Sequence, residues 1–101
     1  MDTKTLIADA KARFNHNSAK AYLKEKYEAK LLVAEQGGLW KADQQTIAFL
    51  QSCPKPEIVL IDTFDNPVLV NRHLLAKKLG ETYERVMLDW HSEWKELESK
   101  R

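Results

Sequence analysis

The sequence predicts an α+β fold in which helix dominates: three N-terminal helices, one β-hairpin and a long C-terminal helix, in the order αααββα. Three observations lead there. Two short, wholly apolar runs, Ile58–Ile61 and Val68–Val70, flank Asp62-Thr63-Phe64-Asp65-Asn66-Pro67, a segment rich in turn formers. Apolar residues from Leu75 to Leu97 recur three or four apart, as on one face of a helix. Pro and Gly number three each in 101 residues, which favours long regular elements over loops.

Each element follows from local chemistry. Asp2 or Thr3 can cap a first helix, with Ile7, Ala10 and Phe14 on one face and Asp9–Arg13 as a favourable i,i+4 pair. Asn15-His16-Asn17 breaks that pattern, and Asn17 or Ser18 can cap the next helix. The second helix carries Ala19, Leu23, Tyr27, Leu31 and Ala34 along one stripe, widened by Tyr22 and Leu32. Gly37-Gly38 ends it, because glycine takes a left-handed cap without steric cost. A third helix runs from about Leu39 to Ser52, with Trp40, Ile47 and Leu50 inward, and pairs with the second as an antiparallel hairpin.

Cys53-Pro54-Lys55-Pro56 stops the helical part at residue 53. The β-hairpin occupies 57–71. Its strands lack polar alternation, so both faces are expected to be covered. Asn71 caps the last helix, 72–99, whose inward seam is Leu75, Leu79, Tyr83, Val86, Trp90, Trp94 and Leu97. Gly80 interrupts that seam without shifting its phase; one continuous helix is expected, with a bend there as the alternative. Such a helix is roughly 42 Å long, against a diameter of roughly 34 Å for a compact domain of this size. Either its final turns overhang the body or the molecule is elongated. The whole chain reads as one domain.

Composition narrows the function classes. The chain is 44% apolar and 31% charged with net charge +1, which announces neither nucleic acid nor a membrane surface. Residues 1–56 hold nine Lys/Arg and six Asp/Glu, and residues 57–101 hold seven and nine, a weak asymmetry. No apolar run reaches the ~20 residues that span a bilayer, and the N-terminus lacks the apolar core of a signal peptide. Cys53 is the single cysteine, which fits a reducing, cytoplasmic setting.

Motifs for chemistry are weak. Asp89 and Glu93 share a helix face and could meet a divalent ion, but His91 projects elsewhere, and a solvated acidic face is the plainer reading. Asp62 and Asp65 lack the spacing of a calcium loop, since Pro67 and His73 stand where a glycine and a glutamate are needed. Cys53 with His16, His73 or His91 has no sequence context for a nucleophile pair. No phosphate loop is present. The expectation is therefore no enzyme activity, no cofactor, no metal and no small-molecule substrate.

The expected function is protein–protein contact: a small assembly or adaptor protein that self-associates or joins a larger complex. Chains of this kind also serve as accessory pieces of large machines, phage particles among them. The candidate interface residues are Tyr83, Trp90, Trp94 and Leu97 on the last helix, where aromatic anchors are enriched in interfaces, and Val59 and Leu69 on the hairpin. An isolated hairpin is marginally stable and exposes two unpaired edges, which invites strand addition; short edges left in water are the alternative. A second possibility is a nucleic-acid-associated regulator that uses Lys20, Lys24, Lys26 and Lys30 of the second helix.

Overall fold

The computed structural model describes the backbone of residues 3–99 and the side chains of residues 15–99. Seven elements follow in order: α1 (Thr3–Lys30), β1 (Leu32–Glu35), β2 (Gly38–Lys41), α2 (Gln44–Ser52), β3 (Glu57–Ile61), β4 (Pro67–Asn71) and α3 (Arg72–Ser99). The strands form two separate antiparallel hairpins, β1–β2 and β3–β4. The order is thus αββαββα, which corrects the expected αααββα in two places.

First, Asn15-His16-Asn17 does not break the N-terminal helix. α1 runs through it to Lys30. Cap-forming residues stay helical here because helix stability in a protein comes mainly from packing of one face, and α1 lies along α3. Second, Gly37-Gly38 is not a helix end, and the expected helix from Leu39 begins only at Gln44. Residues 32–41 are a hairpin. Val33 faces Trp40 across it, and both are buried while Leu32 and Ala34 are exposed, the period of two that marks a strand. Gln36 and Gly37 both adopt positive φ (50° and 81°), as a two-residue type I′ turn requires. Asp43 caps α2 by accepting the Thr46 N–H at 2.8 Å. The expectations for Asp2, Thr3, Ile7, Asp9, Ala10, Arg13 and Phe14 concern side chains outside the described residues.

A single core runs the length of the body. Leu23, Tyr27 and Leu31 of α1 meet Val33 and Trp40 of the first hairpin, Leu50 of α2, Val70 of β4, and Leu75, Leu79 and Val86 of α3. Each fully buried leucine contributes roughly 1.5–3 kcal/mol of transfer free energy. α3 is continuous through Gly80. It begins directly after β4, with Asn71 Oδ1 accepting the Leu74 N–H at 3.1 Å. Arg72 then ties the start of α3 to the end of α2. Its guanidinium donates to the carbonyls of Leu50 (3.0 Å) and Lys55 (2.7 Å), where a cation also complements the helix dipole.

The molecule measures 65 × 24 × 20 Å, with a radius of gyration of 19.2 Å. A compact domain of this size would be near 13 Å. Of the two outcomes foreseen for the long last helix, elongation is the one realised. α1 runs antiparallel beside α3: Tyr27 stacks on Trp90 at 5.9 Å, Lys26 meets Glu93, and His16 lies 3.3 Å from Glu98.

Candidate docking surface

The second hairpin is built on the register Glu57↔Asn71, Val59↔Leu69 and Ile61↔Pro67. Ile58, Leu60, Val68 and Val70 turn toward the core. Val59, Ile61 and Leu69 turn outward and are 61%, 62% and 61% exposed. The expectation that both faces are covered is therefore corrected. The core packs under the hairpin against Ile58, Leu60, Val68 and Val70, and none of the described residues covers its outer face. At the tip, Phe64 is also exposed, and Phe49 of α2 stands exposed nearby. Between β2, α2 and the rim of β3 lies an open groove of about 360 Å³, lined in part by Trp40, Lys41, Phe49 and Ile61.

Asp62 fixes the geometry of this region. Its carboxylate is buried and accepts three main-chain N–H groups, from Asn66 (2.9 Å) and Phe64 (3.0 Å) within its own loop and from Leu39 (3.1 Å) of β2. Thr63 N–H in turn donates to the Leu39 carbonyl at 3.0 Å. The Asn66 N–H, with those of Leu39 and Phe64, holds the Asp62 carboxyl below its ordinary value against the opposing effect of burial. One carboxylate thus closes the loop and clamps the two hairpins together.

The edges of the second hairpin are unequal. Residues 58 and 60 pair through hydrogen bonds with 70 and 68, so Glu57, Val59 and Ile61 of β3 and Leu69 and Asn71 of β4 direct their main-chain groups outward. On β4, Asn71 is closed on both sides by Gln36, whose Oε1 accepts its N–H (2.7 Å) and whose Nε2 donates to its carbonyl (3.2 Å). Pro67 has no N–H to offer. On β3, the outward groups of Glu57, Val59 and Ile61 have no partner among the described residues.

The other expected interface residues lie on the opposite part of the body. Tyr83, Trp90 and Leu97 are half-buried against the core, with Trp90 stacked on Tyr27. Trp94 is more open, at 39% exposed, and stacks on His91 at 5.9 Å. The structure therefore splits these residues into two groups, Val59 and Leu69 on the hairpin and the aromatic set on the α1–α3 seam.

Glu93 is not part of a solvated acidic face. It accepts from Lys26 Nζ at 2.6 Å and from the Tyr27 hydroxyl. The Lys26 contact, then Tyr27, holds the Glu93 carboxyl below its ordinary value, and the same Glu93 contact raises both Lys26 and Tyr27. Asp89 stays exposed. Of the four lysines read as a basic patch, Lys26 is held by Glu93, and Lys30 sits 4.9 Å from the Tyr27 ring centroid. Lys20 and Lys24 remain exposed beside Trp90 and Trp94, which line a shallow groove of about 340 Å³ with them.

His16 Nε2 is buried near Glu98 without an aligned hydrogen bond. The Cys53 thiol donates to the Phe49 carbonyl at 3.2 Å. No three His, Cys, Asp or Glu among the described residues are placed to share a metal ion. No helix of the described residues is long and apolar enough to cross a membrane. Sequence reasoning passed over Gln36 and read Asp62 only as a turn former and Glu93 only as part of an acidic face, so the clamp and the α1–α3 link are roles that the structure adds. Only Asp62 left a signal, as an aspartate directly before a turn; the partners of Gln36 and Glu93 are 35 and 67 residues away. Compared with family models, curated proteins and solved structures, the chain matches none.

Proposed function

We propose that this chain is a small non-catalytic assembly or adaptor protein that binds protein through the outer face of its second hairpin, as a self-associating unit or a subunit of a larger complex. The carrying observation is the cluster of Val59, Ile61, Phe64 and Leu69, each more than 60% exposed on one hairpin. Scattered exposed apolar residues are ordinary, but a contiguous set marks an interaction site. A cytoplasmic setting belongs to this reading and rests on the lone cysteine. The test is the paired variant Val59→Thr with Leu69→Gln. Both sites are exposed, so the helical circular dichroism should persist while self-association and partner capture fall. Unchanged particle size and unchanged capture would refute the reading.

A second reading has one observation behind it: Lys20 and Lys24 beside Trp90 and Trp94 combine cations with rings on which a base could stack. It predicts retention by single-stranded nucleic acid that weakens with salt and is lost in Trp94→Ala. The engagement of Lys26 and Lys30 within the protein weighs against it.

A further inference from the structure

We infer that the occupant of the β3 edge is a second copy of this chain, paired antiparallel across a two-fold axis at Val59, so that two hairpins join into one four-stranded sheet β4–β3–β3–β4. The inference rests on the docking reading above and names its partner.

The edges select the strand. β4 is closed by Gln36 and Pro67, and β2 is occupied at Leu39 by Asp62 and Thr63. β1 directs only Leu32 and Ala34 outward, whereas β3 directs three consecutive outward-facing residues, Glu57, Val59 and Ile61. Only one two-fold register uses all three. Centred on Val59, it sets Val59 against Val59 and Glu57 against Ile61 twice, and six N–H···O bonds can form. Centred on Glu57, it opposes like carboxylates and meets Pro54 and Pro56. Centred on Ile61, it runs into the Asp62–Asn66 loop.

Charge favours the same register. It brings the partner's Glu57 beside Ile61, at the groove that Lys41 also lines. The exposed Glu57 and Lys41 then meet with opposite sign on both sides of the axis. Leu69 and Val59 of both copies form one unbroken apolar row on the outer face, which doubles the surface available to a further protein.

Light scattering over a concentration series should give a species of twice the 11.7 kDa chain mass. Glu57→Lys and Lys41→Glu should each weaken the dimer by about tenfold, because a modest surface contact is lost and reversed on both sides of the axis. The double variant should restore it. In a Cys53→Ser background, Val59→Cys should cross-link under mild oxidation, since facing hydrogen-bonded residues have Cα atoms about 5.5 Å apart, and Ile61→Cys should not. A monomeric parent, charge variants that dimerise like the parent, or cross-linking at Ile61→Cys instead of Val59→Cys would each overturn the inference. The docking reading fails separately, by the Val59→Thr with Leu69→Gln variant. If that variant abolishes association while the charge variants do not, the outer face docks and the edge does not.

Discussion

At the scale of the residue, the two glycines Gly38 and Gly80 behave oppositely for a reason that only neighbours supply. A Cβ on Gly38 would lie 2.6 Å from Cζ2 of Trp40, whose ring is buried and whose Nε1 donates to the Glu35 carbonyl at 2.8 Å. The indole cannot retreat without losing that bond. Gly38→Ala should therefore destabilise the protein by about 1–3 kcal/mol, the usual range for overpacking. A Cβ on Gly80 meets nothing within 4 Å, inside a continuous helix. Gly80→Ala should stabilise by about 0.5–1 kcal/mol through helix propensity. Urea melts of the two variants check both signs, and a stabilised Gly38→Ala would contradict the packing described around Trp40.

At the scale of the element, two carboxylates join parts that the chain places far apart. Glu93 links α3 to α1, and Asp62 links the second hairpin to the first. Both carboxyls are lowered in the fold, so each contributes stability that is present above its unfolded value and is lost as pH falls through the folded one. Lys26 and Tyr27 are raised, so their contribution is present below their ordinary values and is lost as pH rises through the folded ones. The melting temperature should thus fall at both ends of the pH range. Glu93→Gln should flatten the alkaline fall and part of the acid fall, while Asp62→Asn should flatten only the acid fall. Melting temperatures between pH 2 and pH 12 read this directly. An alkaline limb in Glu93→Gln as steep as in the parent would show that the α1–α3 contact does not titrate as described.

At the scale of the whole molecule, the elongated shape assigns the tryptophans of α3 to different roles. Trp90 is stacked on Tyr27 between α1 and α3, so Trp90→Ala should cost about 3 kcal/mol, as loss of a large packed aromatic does. Trp94 is more exposed and touches His91 of its own helix, so Trp94→Ala should cost under about 1 kcal/mol. Thermal melts at two protein concentrations separate stability from association. A loss for Trp94→Ala as large as for Trp90→Ala would place Trp94 in a buried contact.

The sequence by itself determined the second hairpin and the helix after it. The apolar runs around Asp62–Pro67 and the seam from Leu75 to Leu97 are local patterns with one period each, and the elements occupy 57–71 and 72–99. It also marked Val59 and Leu69 as interface candidates, by their place in an apolar strand. What only the tertiary structure decided is the rest. Leu31–Ala34 suits a helical stripe or a strand equally, and the buried pairing of Val33 with Trp40 settles it as strand. Asn15-His16-Asn17 has the local chemistry of a break, and packing along α3 holds it in helix. Which hairpin face is bare, and which edge is open, depends on Gln36, Asp62 and the helices beneath, groups brought together from distant parts of the chain. Periodicity records what a residue's near neighbours require; burial depends on what the chain has left to place on top.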